Sequence, residues 1–359
     1  MNAGRAWLRG VFAAVLLGST VALAAPPKAG GDLLFANGFE RPVQSTGGSV
    51  YLWYALGPGC DREPYGVLIN YAQPGVRATV RQQLAAMYAS GQRRLAIGQH
   101  FAHGARSGTV IDSSDPAQVA LVSNNLVDLI ADIKAAGFVE IMFRLYPQSD
   151  INPSSGHFDD HLIGEYENLV DAMRVPLASG GLLYRYDLFV EGMPRDKGGF
   201  WPDGWPQDSD WTSAAQDLWR DYTNKYGKSD TIGFSFLTDD DPDKLQLRVR
   251  HMNKVYGSNL PNLVGLDIYG SAAANEADKL LTFRAAMLKE GYGGLGWIIP
   301  EVYYDDPVAA ANLSSAIAAV RPTVFYLTQW PEDRANTACP AMPNVAPPAD
   351  WVAYGGYGF

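Results

Sequence analysis

The segments Tyr-Asp-Leu-Phe-Val-Glu, residues 186–191, and Trp-Ile-Ile-Pro-Glu, residues 297–301, decide the predicted fold of this chain. Each is a short apolar run that ends in a single acidic side chain, Glu191 in the first and Glu301 in the second. Short apolar runs bounded by turn residues are typical of buried β-strands. A carboxylate at the end of such a strand lies at the rim of a sheet, where side chains from neighbouring strands converge.

The same pattern recurs along the chain from Tyr65 onward, where short runs rich in Val, Ile, Phe and Tyr alternate with longer amphipathic stretches. Strands are predicted at Gly66–Tyr71, Arg94–Phe101, Val139–Tyr146, Tyr184–Glu191, Thr231–Leu237, Leu263–Tyr269, Gly296–Val302 and Thr323–Gln329. Helices are predicted between them at Val76–Ser90, Ala117–Ala136, Glu165–Ala178, Thr212–Tyr226, Pro242–Tyr256, Glu276–Glu290 and Val308–Val320.

Residues at the helix ends support this segmentation. Asp115 and Asp241 each precede a proline, which places an N-cap residue before proline at the first helical position. A glycine follows five helices, where a C-cap belongs: Gly91, Gly137, Gly227, Gly257 and Gly291. Eight strands, the first seven each followed by a helix, predict an α/β fold, a single (β/α)8 barrel. A doubly wound open sheet is the alternative, but the glycine-rich phosphate turn expected of it is missing from the sequence.

The chain start has the pattern of a secretory signal peptide. Arg5 and Arg9 precede an apolar core at residues 11–17, and Ala-Leu-Ala follows at residues 22–24. We therefore expect cleavage near Ala24 and a secreted or periplasmic protein. A membrane anchor is the alternative, although the apolar run is short for a membrane span. Residues 25–49 are predicted to form a linker or arm, and residues 50–359 the barrel domain with an irregular C-terminal tail.

Charge and cysteine content limit the partners and the compartment. The formal net charge is −10, and removal of Arg5 and Arg9 would bring it to −12. An acidic, aromatic-rich chain is a poor candidate for binding nucleic acid, and no segment beyond the leader is long and apolar enough for a membrane span. The chain has two cysteines, Cys60 and Cys339. Export favours a disulfide between them, with two unpaired thiols as the alternative.

Strand alternation predicts which side chains meet at the rim of the barrel. Glu191 is expected to face inward together with Asp187 and Phe189, and Glu301 together with Trp297 and Ile299. The predicted rim set adds side chains from other strand ends: Asn70, His100, Tyr269 and Trp330. Three further charged residues are expected inside the barrel: Arg144, Arg185 and Asp187. An ion pair among them would be structural, and Asp267 could join it.

Two carboxyl groups at one rim match the needs of glycosidic bond cleavage. One group stays protonated to protonate the leaving oxygen, and the other stays ionised to attack the anomeric carbon. In a retaining enzyme the two carboxyl groups lie about 5–5.5 Å apart. A tyrosine hydroxyl such as that of Tyr269 can hydrogen-bond the ionised group. A rim glutamate can instead cap a helix or pair with an arginine. His100 could equally be a structural histidine, and Tyr269 a packed core residue.

Aromatic side chains follow both glutamates in the chain. Trp201 and Trp205 lie in the long loop after Glu191, and Tyr303 comes two residues after Glu301. Exposed aromatic rings beside a carboxylate are typical of a carbohydrate-binding cleft. The alternative is that the tryptophans pack the loop onto the barrel.

In its strand order and rim residues, the chain resembles the clan of retaining (β/α)8-barrel glycoside hydrolases. The resemblance runs from about Tyr65 to Trp330. The resemblance implies that Glu191, after the fourth strand, is the acid/base and Glu301, after the seventh, the nucleophile. It implies further that Tyr269 is the partner of the nucleophile and Trp330 a sugar platform. The chain departs from the clan at Val190, where an asparagine usually binds the sugar 2-hydroxyl; Asn70 is a candidate substitute.

Other chemistries have weaker support in the sequence. Residues 239–241 are three consecutive aspartates before a proline, which more often form a helix N-cap than a cation site. His100 and His103 are residue types that bind zinc, but no complementary ligand set is visible at other strand ends. We predict a glycoside hydrolase that acts on a carbohydrate without a cofactor or metal. A non-catalytic carbohydrate-binding barrel is the alternative, and a metal-dependent hydrolase is less favoured.

Overall fold

The computed structural model describes residues 43–153, 161–194, 208–334 and 345–359. The strands are β1 (Gly48–Val50), β2 (Arg94–Ala102), β3 (Val110–Asp112), β4 (Glu140–Pro147), β5 (Leu183–Phe189), β6 (Thr231–Phe234), β7 (Phe236–Leu237), β8 (Leu263–Asp267), β9 (Gly296–Ile299) and β10 (Val324–Gln329). The α-helices are α1 (Val67–Asn70), α2 (Val76–Ala89), α3 (Pro116–Ala135), α4 (His161–Ser179), α5 (Asp208–Tyr226), α6 (Pro242–Tyr256), α7 (Glu276–Lys289), α8 (Pro307–Val320) and α9 (Val352–Gly356). The seven predicted helices correspond to α2–α8.

The strands form one parallel sheet that closes into a barrel. Their order is β6-β5-β4-β2-β1-β10-β9-β8-β7, with β3 paired to the outer end of β2. Strands β6 and β7 are two pieces of one strand interrupted at Ser235, so the two ends of this order meet. Eight parallel strands therefore surround the centre, and helices α2–α8 follow them in turn. The predicted (β/α)8 barrel is confirmed.

Two apolar clusters hold the barrel together. The larger lies between strands and helices and includes Phe143 and Phe283. The smaller fills the barrel interior and includes Val50, Met142 and Tyr326. In the part of the chain that the structure describes, no helix is both long enough and apolar enough to cross a membrane.

The strand predicted over residues 66–71 is wrong, because these residues enter helix α1. The first barrel strand is β1, which pairs in parallel with β2 on one side and β10 on the other. A Cβ on Gly48 would collide with the carbonyl oxygen of Arg94, and one on Gly47 with that of Leu327. The glycines that made this segment look like a linker are therefore required by the close approach of neighbouring strands.

The C-terminal residues 345–359 pack beside β1 and β10, where an eighth helix would otherwise lie. Gln329 Nε2 donates to the carbonyl of Asp350 over 2.6 Å, and Ser49 Oγ donates to that of Pro348 over 2.9 Å. Trp351, Tyr354 and Phe359 are buried. The expectation that an irregular tail replaces the eighth helix is confirmed for these residues.

Candidate active site

The two rim glutamates lie together at the carboxyl ends of the strands. One carboxylate oxygen from each of Glu191, Asp267 and Glu301 lies within 4.8 Å of the other two. Glu301 follows β9 and is 6% exposed, and Glu191 follows β5 and is partly exposed. Three carboxyl groups from three different strands thus converge on one point.

Glu191 reaches this point through a register shift between β5 and β6 and a turn after β5, rather than through simple alternation. The β5–β6 register shifts between Asp187 and Phe189. Phe189 consequently packs outward, with its ring 6.3 Å from that of Trp211 on α5, so its predicted inward orientation is wrong. Glu191 has a left-handed φ of 53°, and its backbone N–H donates to Ser235 Oγ over 2.8 Å. Backbone strain of this kind is often found at functional sites.

Glu301 lies two residues beyond the end of its strand, β9. Trp297 and Ile299 belong to the cluster between strands and helices, and Trp297 packs 5.0 Å from Phe283, so their predicted inward orientation is wrong. The neighbouring Ile298 faces the interior instead. Strand β9 ends before Pro300, which lacks the N–H needed to continue the ladder. Beyond the end of the strand Glu301 faces the interior, where it contacts Arg144 and Tyr269.

A buried arginine connects the acidic groups. Arg144 on β4 is 0% exposed. Its guanidinium donates to Asp187 over 3.0 Å, to Asp267 over 2.9 Å and also to Glu301 Oε1. The sequence predicted a structural ion pair inside the barrel among Arg144, Arg185 and Asp187. The structure shows the pair of Arg144 and Asp187 and extends the network to Asp267 and the candidate nucleophile. Arg185, placed in the same network from sequence, lies elsewhere and donates to Glu140 over 3.1 Å.

Both oxygens of Glu301 accept a hydrogen bond. Tyr269 donates its hydroxyl proton to Oε2 over 2.8 Å, while Arg144 donates to Oε1. Burial raises the pKa of Glu301, and the charge of Arg144 and these hydrogen bonds oppose that rise. Burial also raises the pKa of Tyr269, so its hydroxyl keeps its proton and serves as a donor. The two hydrogen bonds therefore fix the orientation of the Glu301 carboxyl group and offset part of the rise in its pKa that burial causes.

The three converging carboxylates form the kind of group that can bind a cation, but Arg144 already supplies the positive charge. Its guanidinium bonds two of the three, Asp267 and Glu301. A divalent cation would lie against this buried charge, which opposes its binding. The other predicted cation ligands have structural partners: His103 contacts Glu165 over 2.8 Å, Asp239 pairs with Arg248, Asp240 with Lys279, and Asp241 caps α6.

His100 and Trp330 belong to a cluster of aromatic rings at the rim. The ring of His100 stacks on Tyr146 at 4.6 Å and on Trp53 at 5.8 Å. Trp330 is 8% exposed and packs against Trp53 at 5.7 Å and Tyr146 at 6.3 Å. A sugar therefore has little of the Trp330 ring surface to contact in this conformation. The sequence missed Trp53 because it precedes the strand that was predicted to be first.

Of two other predicted ligand-binding residues, one lies at the edge of the site and one does not. Tyr303 lies beside Tyr269 at 5.0 Å and donates to the carbonyl of Gly270, at the edge of the site. Asn70 lies on α1 rather than at a strand end, and its amide donates to Pro64 and Gly66 carbonyls, so its predicted placement is wrong.

Three further predicted residues lie outside the described residues: Trp201, Trp205 and Cys339. The disulfide between Cys60 and Cys339 therefore stays a prediction.

His100 should make the stability of the protein depend on pH. Burial, with a contribution from Arg62, lowers the pKa of His100 to about 4. Because this lies below the unfolded value of about 6.5, protonation favours unfolding, and stability is lost as the pH falls from about 6.5 to about 4. His100→Phe keeps the stacking and removes the proton site.

Urea unfolding at pH 7.5 and 4.5 tests this prediction. Between pH 7.5 and pH 4.5, the free energy of unfolding should fall by about 2–3 kcal/mol more in the parent than in the variant. Equal losses in both proteins would contradict it.

Comparison with solved structures finds proteins whose backbone follows a similar course, at low sequence identity. No family model and no curated protein matches the chain. A GH5 broad-specificity endoglucanase from Clostridium longisporum is 8% identical, with 89% of this chain and 92% of that chain covered and a TM-score of 0.48. A Thermomonospora fusca β-mannanase in complex with mannotriose is 10% identical, covering 79% and 84%, with a TM-score of 0.44. Homocysteine methyltransferase from Escherichia coli is 14% identical, covering 80% and 88%, with a TM-score of 0.44. Similarity at this level assigns no activity, which has to be argued from the side chains of the site.

Proposed function

We propose that the protein is a secreted glycoside hydrolase that cleaves a polysaccharide or oligosaccharide with retention of configuration. The observation that carries this proposal is the closeness of Glu191 and Glu301, whose nearest carboxylate oxygens lie within 4.8 Å. Retaining enzymes hold their two carboxyl groups about 5–5.5 Å apart, whereas inverting enzymes leave about 6.5–9.5 Å for a water molecule. Secretion is supported by the leader pattern that ends near Ala24.

In the first step Glu301 attacks the anomeric carbon while Glu191 gives its proton to the leaving glycosidic oxygen. The bond from carbon to that oxygen breaks as the bond to the Glu301 oxygen forms. Arg144 and Tyr269 each donate to one Glu301 oxygen, which orients the carboxylate and favours its ionised form. Both groups also stabilise the carboxylate when it departs again in the second step.

In the second step Glu191, now ionised, takes a proton from water as the water oxygen attacks the same carbon. The Glu301 carboxylate leaves, and the sugar regains its original configuration after two inversions. The site has one buried guanidinium facing Asp187, Asp267 and Glu301, with Glu191 beside them. Burial, together with the like charges of Glu301, Glu191 and Asp187, raises the pKa of Asp267, so the cluster favours a protonated member.

A carbohydrate-binding barrel without catalysis is the second candidate. One observation favours it: Val190 occupies the position before Glu191, where it packs against the apolar interior. A metal-dependent hydrolase is disfavoured by the guanidinium of Arg144 among the carboxylates.

The Glu191→Gln variant discriminates between the two candidates. We would incubate residues 25–359 with a panel of polysaccharides and aryl glycosides, and measure both reducing-sugar release and ligand affinity. For a hydrolase, the variant should lose about 10²–10⁴-fold in kcat on unactivated substrates because it cannot protonate the leaving oxygen, and its ligand affinity should persist. Glycan binding of equal strength in parent and variant, with no sugar release from either, would overturn the hydrolase proposal in favour of the binding barrel.

A further inference from the structure

Ser235 occupies the one break within the strand formed by β6 and β7, directly beside the carboxylate cluster. It is 0% exposed, and its hydroxyl oxygen accepts the backbone N–H of Glu191 over 2.8 Å. The same oxygen accepts Arg144 Nη2–H over 3.3 Å. Its backbone N–H donates to Asp187 Oδ1 over 3.2 Å, and its carbonyl accepts from Met193. The neighbouring strand residues Phe234 and Phe236 instead contribute apolar rings to the outer cluster.

These contacts link the two candidate catalytic glutamates through one side chain. On one side the Ser235 hydroxyl holds the backbone of Glu191, which has the left-handed φ of 53° that an L-residue adopts at a cost. On the other side it contacts Arg144, which in turn bonds Glu301. A buried N–H without a partner costs about 1–3 kcal/mol, so loss of the hydroxyl oxygen would remove a main reason for the turn to keep this conformation.

We propose that Ser235 is a positioning residue that fixes the distance between the Glu191 and Glu301 carboxylates. The inference rests on the proposed function and adds to it a residue that touches neither substrate nor reacting atoms. It follows that Ser235 acts mainly on the proton transfers made by Glu191, because its shortest contact is to the backbone of that residue. Displacement of a catalytic group by about 1 Å can cost on the order of 10²-fold in rate.

The test uses aryl glycosides that differ in leaving group, with Ser235→Ala as the variant. With an unactivated phenol, kcat/KM should fall about 30–100-fold, because the leaving oxygen needs a well-placed acid. With dinitrophenolate, which leaves without protonation, the fall should be less than about threefold. Ser49→Ala is the matched control, since Ser49 is also a buried, hydrogen-bonded strand serine but contacts the C-terminal tail. A loss of equal size for all leaving groups would overturn the proposal.

Crystal structures of the parent and Ser235→Ala give a readout that is independent of activity. We expect the turn at Glu191 to leave the left-handed region and its carboxylate to move at least about 1 Å away from Glu301, with the barrel unchanged. An unchanged turn would refute the positioning role. If the parent cleaves no glycoside, the proposed function fails, and the crystal structures alone decide whether Ser235 sets the carboxylate separation.

Discussion

Replacement of Glu301 by Gln should abolish glycoside cleavage, with a loss in kcat on the order of 10⁴-fold or more, or about 5.5 kcal/mol of transition-state stabilisation. The amide is nearly isosteric, so the fold and the contact with Tyr269 can persist. It is nevertheless too weak a nucleophile to attack the anomeric carbon. Unlike a variant at Glu191, this one should fail equally with activated and unactivated leaving groups, because no glycosyl-enzyme intermediate forms.

The control for this experiment is Glu290→Gln, the same chemical change at a surface glutamate that pairs with Arg250. It should keep the activity of the parent. Mass spectrometry of the parent after reaction with a slowly turned-over fluoro-glycoside should show one covalent adduct on the peptide that contains Glu301. A Glu301→Gln protein with the rate of the parent, or an adduct on another residue, would contradict the assignment of the nucleophile.

The second large effect concerns stability: Arg144→Met should lower the free energy of unfolding by about 3–5 kcal/mol at pH 7. Arg144 is the buried cation shared by Asp187, Asp267 and Glu301, so its removal leaves these carboxyl groups in a medium that disfavours their charge. The pKa of Asp267 is already raised by burial with the arginine in place. Without the arginine, protonation of the carboxyl groups should relieve part of the cost, so the deficit should shrink as the pH falls toward 4.

Urea unfolding monitored by tryptophan fluorescence measures this effect. Arg220→Met is the matched control, because Arg220 is 66% exposed and pairs with Asp217 on the surface of α5. Its unfolding free energy should change by less than about 1 kcal/mol. Equal stability of Arg144→Met and the control would contradict the prediction. A deficit that does not vary with pH would also contradict it, because it would mean that Arg144 does not stabilise ionised carboxyl groups.

The sequence predicted the architecture because helix signals are local. N-cap aspartates before proline and glycines at helix ends located the helices, and the apolar runs between them located seven of the eight barrel strands. The first strand was missed because it is three residues long and begins at two glycines, Gly47 and Gly48, which are required by the close approach of distant residues. No local pattern around Gly47 and Gly48 indicates that Leu327 and Arg94 lie against them.

The candidate site was predicted in position but not in detail. Glu191 and Glu301 were located from their place at strand ends, yet the residues that were expected to face inward with them, Phe189 and Trp297, face the helices. Alternation holds only while a strand continues, and both strands end just before the glutamates. Ser235 gave no signal at all, because its role depends on a strand interruption that only the folded barrel reveals.

The way the barrel closes has a consequence for the order of events during synthesis. Strand β1 lies between β2 and β10, and Ser49 bonds Gln329, 280 residues further along the chain, as well as the carbonyl of Pro348. Contacts that join such distant residues form late, because the intervening chain must first be ordered. Nearly the whole polypeptide must therefore leave the ribosome before β1 can pair with β10 and the tail can pack beside them. Until then the barrel stays open between β2 and β10.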